Sequence, residues 1–163
     1  MSDQIEVSKA RSSVGMTDET EEFVTFTIAE QLFGIPVLKV QDVLSTYHIT
    51  PIPLAPPEVT GSLNLRGRVV TAIDVRLRLS LPPRPDGSSH MSIVAENDNE
   101  LYSLMVDSVG EVLALPKADY ERNPPTLDPK FRAFSDGIYR LDDQLLVVLD
   151  VRRLLDYERS HAA

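Results

Sequence analysis

Short apolar stretches with alternating polar positions dominate the chain. Many of their residues are β-branched or aromatic, and this pattern is typical of β-strands rather than long helices. The three clearest stretches cover residues 23–28, 91–95 and 145–149. The hydrophobic pattern therefore predicts a mostly β protein.

Polar breaks of a few residues separate these stretches, at residues 30–31, 97–100 and 142–143. Such breaks are typical of β-hairpin turns. Several short strands at close spacing favour a sandwich or small barrels.

Helices are expected to be few and short. Residues 57–65 have a proline near a possible helix start, and residues 151–159 have apolar positions at helical spacing. A weaker candidate covers residues 74–79. Asp74 and Asp150 stand where an aspartate side chain can cap a helix.

The sequence contains an internal duplication. Asp150 lies 76 positions after Asp74, and both sit in an apolar-Asp-Val-Arg segment. Upstream segments match at a spacing of 69, from residues 32–35 to 101–104 and from 40–44 to 109–113. Two copies of one small unit therefore fit the chain.

Composition narrows the possible functions. The 163 residues are 42% hydrophobic, which suits one domain or two small ones with a shared core. A formal charge of −9 argues against nucleic-acid binding, which needs clustered Lys and Arg. Without cysteine, disulfides and thiolate zinc sites are excluded. The polar start and the lack of a long apolar run predict neither a signal peptide nor membrane insertion, so a cytoplasmic protein is expected.

The first part of the chain differs from the rest. Residues 1–22 carry six acids and two bases with only scattered apolar residues. Such a composition does not offset the entropy of ordering, so a disordered acidic tail is expected over residues 1–21. Three proline-rich segments, 51–57, 81–89 and 123–129, are expected to link strands.

Catalytic and metal sites find little support. Paired carboxylates can act as general acid and base, but capping explains Asp74 and Asp150 more simply. The histidines His48, His90 and His161 lack metal-ligand spacing. The glycine spacing around Gly61 fits no phosphate-binding loop. No catalytic residue, metal or cofactor is therefore predicted.

The segment from Gly61 to Gly67 is the best candidate for a binding function. Its Asn-Leu-Arg sequence runs directly into an apolar strand, so the Arg66 guanidinium is held at the edge of a sheet. Asp42, an acid among valines, is a plausible partner for Arg66. The planar fork of arginine suits both an ion pair and an interface hot spot, which favours docking over catalysis.

Taken in order, these segments resemble the CheW family of chemotaxis coupling proteins over about Glu22 to Tyr157. The resemblance implies two SH3-like five-stranded β-barrels around a shared core, with a few short helices. We expect one CheW-like domain over residues 22–159, built from subdomains at about 22–85 and 86–159 that could exchange terminal elements. The matching segments are 33–35, 39–43, Gly61 with 64–67, 73–76, 106–107 and 150–155.

The resemblance also implies a non-enzymatic function. Members of the family join the histidine kinase CheA to the cytoplasmic tips of chemoreceptors. Binding to further copies of the same protein in rings is left open. The protein would be cytoplasmic and would associate with receptor arrays through these partners. No motif marks the kinase-binding surface, for which the second half is favoured. The receptor-binding residues implied by the resemblance are Val40, Asp42, Gly61, Asn64, Leu65, Arg66, Gly67 and Val109.

Three alternatives stay open at this point. They are a CheW-like segment of a larger kinase or receiver-bearing adaptor, a coupling protein of a parallel pathway for surface motility or gene regulation, and a small enzyme. Asp42 also stands where the family often has glutamate, and its shorter reach allows a water-mediated pair with Arg66.

Overall fold

The computed structural model describes residues 19–45, 48–85 and 88–156. Most of the predicted tail, residues 1–18, lies outside this range, as do His161 and the end of the predicted helix 151–159. Ten strands make up most of the described chain, which confirms the prediction of a mostly β protein. The strands are β1 Thr20–Ile28, β2 Gln31–Pro36, β3 Val40–Leu44, β4 Val59–Leu65, β5 Arg68–Asp74, β6 Met91–Asn97, β7 Glu100–Val106, β8 Ser108–Pro116, β9 Ser135–Arg140 and β10 Leu145–Leu149.

The other described elements are three short α-helices, α1 Val75–Arg78, α2 Pro129–Arg132 and α3 Val151–Leu154, and two 3-10 helices, Val37–Lys39 and Lys117–Asp119. Asp74 and Asp150 cap α1 and α3, because their carboxylates accept hydrogen bonds from the backbone N–H of Leu77 and Arg153 at 3.3 and 3.1 Å. Both caps and helix α1 are confirmed, and the other predicted helix is present as α3, which ends at Leu154. Helix α2 was not predicted, and only its first residue, Pro129, belongs to the expected proline-rich link 123–129.

The predicted helix over residues 57–65 is wrong, because this segment forms strand β4. Gly61 and Leu63 are buried while their neighbours Thr60 and Asn64 are exposed, so the segment has the period of a strand. The three predicted hairpin turns are confirmed by the pairings of β1 with β2, β6 with β7, and β9 with β10.

The strands form two five-stranded sheets. Barrel A has the order β8-β1-β2-β10-β9, and barrel B has the order β3-β6-β7-β5-β4. In each barrel, the segment after one edge strand reaches the other edge strand through a pair of backbone hydrogen bonds. These closing bridges join Thr50 to Ser62 in barrel B, at 2.7 and 2.8 Å, and Glu121 to Ile138 in barrel A, at 2.9 Å each.

Both sequence halves contribute to both barrels. The first hairpin of each half, β1–β2 or β6–β7, joins the three later strands of the other half. Two parallel pairings, β2 with β10 and β5 with β7, connect the halves. Each barrel therefore depends on the whole folded chain.

Three apolar clusters stabilise this arrangement. The largest lies between the barrels and includes Phe26, Phe33, Ile73 and Leu104 from both sheets. Smaller clusters belong to strands of barrel B and of barrel A alone. Arg78 adds a polar connection, since its buried guanidinium donates to the carbonyl of Leu154 at 2.7 Å and ties α1 to the end of α3.

Candidate docking site

The β4–β5 hairpin turns on only two residues, Arg66 and Gly67. Both have positive φ, 50° for Arg66 and 85° for Gly67. Glycine adopts this conformation freely, but it costs an ordinary residue such as arginine roughly 1 kcal/mol or more. The Asn64 side chain supports the turn by accepting a hydrogen bond from Gly67 N–H at 2.9 Å. The arginine is thus held in a strained position at the tip of the hairpin.

Asp42 lies on β3 and forms an ion pair with Arg66. The contact is a direct hydrogen bond from Nη2 of Arg66 to the carboxylate, so no bridging water is needed. It links edge strand β3 to the turn that follows β4, the other edge strand of barrel B. The Arg66 side chain is 72% exposed, so the pair contributes only about 0–1 kcal/mol to folding and leaves the guanidinium accessible.

Gly61 has a structural role in the same barrel. It is buried on β4, and a Cβ added there would lie 2.2 Å from the carbonyl oxygen of Thr50. Any side chain would therefore push apart the closing bridge that Thr50 forms with Ser62. Gly61 influences the docking site by allowing this close approach.

The structure brings only part of the predicted residues together. Asp42, Asn64, Arg66 and Gly67 form one connected group at the β4–β5 turn. Leu65 is half-buried and packs on the inner cluster of barrel B, so its role is largely in packing. The two remaining apolar residues, Val40 and Val109, lie on different barrels.

Val40 on β3 and Val109 on β8 are half-buried against the shared core. Each is followed three residues later by an exposed valine, Val43 at 38% exposure and Val112 at 51%. These two residues were not predicted from the sequence, although the match between segments 40–44 and 109–113 could have identified them. Exposed valines therefore lie at equivalent positions on one edge strand of each barrel, β3 in barrel B and β8 in barrel A.

Asp107 forms a second ionic group that the sequence analysis did not assemble. It accepts two hydrogen bonds from Arg76, at 2.9 and 2.7 Å, and one from Ala29 N–H at 2.8 Å, and Arg84 lies 3.5 Å away. Burial raises the pKa of the Asp107 carboxyl, but these hydrogen bonds and the two guanidinium charges outweigh burial and lower it. This group fixes the β1–β2 turn and is structural.

The described residues give little support for a catalytic or metal-binding site. They contain no group of three or more His, Cys, Asp and Glu side chains able to hold a metal ion. No helix among them is long and apolar enough to cross a membrane. The recurring acids have structural partners: Asp42 and Asp107 pair with arginines, and Asp74 and Asp150 cap helices.

Comparisons with known proteins agree with this geometry. The family model described as "CheW-like domain" matches residues 22–159. The chain is 26% identical to the chemotaxis protein CheW of Rhizobium meliloti over 148 residues, covering 91% of this chain and 96% of that protein. It is 28% identical to the probable chemotaxis protein CheW of Rhizobium etli over 142 residues, covering 87% of this chain and 92% of that protein.

A solved structure supports the same assignment. The scaffolding protein TtCheW from Thermoanaerobacter tengcongensis is similar to this chain with a TM-score of 0.72 and 31% identity, covering 80% of this chain and 89% of that one. The matches extend over both barrels and not only over one motif. The chain therefore belongs to the CheW-like family of non-enzymatic scaffold proteins.

Proposed function

We propose that this protein is a chemotaxis coupling protein that joins the histidine kinase CheA to the cytoplasmic tips of chemoreceptors. Its curated relatives are chemotaxis proteins, and its structural neighbour is a scaffolding protein. The observation that carries the proposal is the strained, exposed Arg66 held by Asp42 at the tip of a barrel hairpin. Backbone strain at an exposed charged residue is expected where binding requires that residue.

The receptor-binding site in this proposal is the surface around the β4–β5 turn. Arg66 supplies an exposed guanidinium, while Asp42 and Asn64 hold it and its turn in place. Because these contacts already hold Arg66 and the turn before binding, less conformational entropy is lost when a partner binds. Gly61, Leu65 and Gly67 maintain the shape of the hairpin. The half-buried Val40 on barrel B and Val109 on barrel A would supply apolar contacts away from the turn.

Coupling requires a second surface, which we place on barrel A for the kinase. The barrels share a core and exchange their first hairpins, so they move as one body. A rigid body that binds receptor and kinase together raises the effective concentration of each for the other. The protein would act in the cytoplasm and reach the receptor array through these partners.

Receptor binding tests the site directly. A soluble receptor-tip fragment should bind Arg66→Glu at least tenfold more weakly than wild type, because charge reversal repels Asp42 and any carboxylate that Arg66 contacts. Arg140→Glu is a matched control, since Arg140 is also exposed and paired with an acid, Glu121, at 3.0 Å on barrel A. Equal binding by wild type and a folded Arg66→Glu variant would remove Arg66 from the receptor site.

A further inference from the structure

Arg76 and Arg152 occupy equivalent positions in the two halves, at the spacing of 76, but their surroundings differ. Arg76 on α1 donates two hydrogen bonds to the carboxylate of Asp107, at 2.9 and 2.7 Å. The spacing of 69 relates Asp107 to Leu38, which carries no carboxylate. Arg152 on α3 is therefore the equivalent arginine without the equivalent acid.

Arg152 lines a groove on barrel A between the end of β2, the end of β10 and the start of α3. Pro36 and Lys39, which lie on either side of Val37 and Leu38, line the same groove. Arg152 thus lies beside the β2–β3 junction, as Arg76 lies beside the β7–β8 junction. The structure preserves the arrangement that the duplication predicts for this arginine.

The groove carries an excess of positive charge. Lys39 and Arg152 are both exposed, and within the part of the chain that the structure describes neither side chain forms an ion pair or a hydrogen bond. Of the two acids in the groove, Asp150 is engaged by Arg153, whose backbone N–H and Nε both donate to it at 3.1 Å. Asp136 is the other acid, so two unpaired cations face one unpaired carboxylate.

The Asp107 group shows what such a pair of cations can hold. Arg76 binds its carboxylate directly, and a second cation, Arg84, lies 3.5 Å away. Arg152 and Lys39 likewise line one groove. The planar fork of arginine suits a carboxylate because it can donate two parallel hydrogen bonds. The groove therefore has the chemistry to accept a carboxylate from another molecule.

Leu38 adds an apolar element next to these cations. Its side chain is 93% exposed, whereas the neighbouring Val37 packs against the shared core and fixes this short 3-10 helix to the body. A single exposed leucine is common on protein surfaces and does not by itself mark a binding site. Beside two unpaired cations, however, it favours a ligand with both an acidic and an apolar group.

We propose that this groove is a docking site for an acidic segment of a partner protein, which presents an aspartate or glutamate beside an apolar side chain. The carboxylate would bind Arg152 and Lys39, as Asp107 binds Arg76 with Arg84 nearby. The apolar side chain would cover Leu38. The proposal concerns a surface separate from Arg66, and it holds whichever pathway the protein serves.

The chain's own Asp107 segment provides a probe. A labelled peptide of residues 104–110, blocked at both ends, carries a single carboxylate among apolar neighbours. It should bind the full-length protein saturably, with a Kd of about 1 mM or tighter by fluorescence polarisation. A peptide with Asp107→Asn should bind at least fivefold more weakly, and so should the protein variant Arg152→Gln. Arg122→Gln, at another exposed arginine, should bind as wild type does.

Leu38→Asp tests the geometry without the peptide, because it places a carboxylate at the position that matches Asp107. Its carboxylate should pair with Arg152 and raise the midpoint of thermal unfolding by about 1–3 °C relative to Leu38→Asn. The gain should disappear when Arg152→Gln is added to both variants. Leu38→Asp should also bind the peptide more weakly than Leu38→Asn, because the groove already holds a carboxylate.

Several results would overturn the proposal. They are no saturable binding of the peptide to wild type, equal binding of the peptide with Asp107→Asn, and equal binding by wild type and Arg152→Gln. A thermal gain that persists with Arg152→Gln would show that Arg152 does not reach the position of Leu38, which would also overturn it. Displacement of the peptide by an equal concentration of acetate would mean that the groove takes small anions and not a protein segment. Neither receptor nor kinase is used, so the outcome is independent of the coupling function.

Discussion

Barrel A and barrel B are closed by equivalent backbone bridges, but the charged residues of their turns differ. In both, a glycine on the edge strand precedes the bridged residue, Gly61 in barrel B and Gly137 in barrel A, at a spacing of 76. An added Cβ would collide at 2.2 Å in each case, with a backbone carbonyl at Gly61 and with the Tyr120 hydroxyl at Gly137. The duplicated positions thus preserve the closure of the barrels.

The residues of the β4–β5 turn in barrel B differ from those of the equivalent β9–β10 turn in barrel A. The position that matches Arg66 is Asp142, and the one that matches Asp42 is Glu111, so barrel A has two acids where barrel B has an ion pair. Barrel A also carries helix α2, whose Phe131 ring packs edge-on against Phe33 with centroids 5.4 Å apart. Conserved positions within the duplication therefore maintain the fold, and the diverged positions are where we place binding.

Stability should be most sensitive at Gly61, and the equivalent Gly137 is the matched comparison. Gly61→Ala should reduce the free energy of unfolding by about 3 kcal/mol, because the backbone of Thr50 must move. Gly137→Ala should cost less, about 1 kcal/mol, because the end of the Tyr120 side chain can shift. Urea unfolding of both variants measures the difference. Equal losses would mean that the two closures are equally adaptable.

An intermediate effect is expected at Asp107, which holds the β1–β2 turn of barrel A. The matching β6–β7 turn has Asp98 and Asn99, which tolerate positive φ well, whereas the β1–β2 turn has Ala29 and Glu30. Asp107→Asn removes the charge that Arg76 and Ala29 N–H stabilise, and should cost about 1–3 kcal/mol at neutral pH.

The pH dependence of that cost provides a second readout. The pKa of Asp107 is lower in the folded state, so its contribution is fully present above the unfolded pKa and is lost as pH falls through the folded pKa. The stability gap between wild type and Asp107→Asn should therefore narrow as pH is lowered from about 7 to about 3. A gap that stays constant in urea unfolding across this range would contradict the assigned role of the carboxylate.

The smallest expected change in stability has the most bearing on function. Arg66→Asn creates an Asn-Gly turn, the pair best suited to two positive φ values, and should stabilise the fold by up to about 1 kcal/mol. The same change removes the guanidinium and should weaken receptor binding. Thermal unfolding and receptor binding should thus move in opposite directions. A variant that is both less stable and equally able to bind would show that Arg66 serves the fold alone.

The sequence predicted the duplication, the strands, the helix caps and the partnership of Asp42 with Arg66, because each depends on local pattern or on one repeat. It misplaced a helix on residues 57–65, where Pro57 resembled a helix start but pairing with β5 decided the structure. The exchange of hairpins and the Asp107 group depend on contacts between distant parts of the chain. Local periodicity does not determine such contacts.

We propose that the protein couples receptor to kinase through the Arg66 surface. The most direct test is the autophosphorylation rate of the cognate CheA kinase mixed with receptor signalling tips, with wild-type protein, with Arg66→Glu, and with none. We expect receptor-dependent activation with wild type and its loss with Arg66→Glu. Activation that is absent with the folded wild-type protein, or equal with the variant, would contradict it.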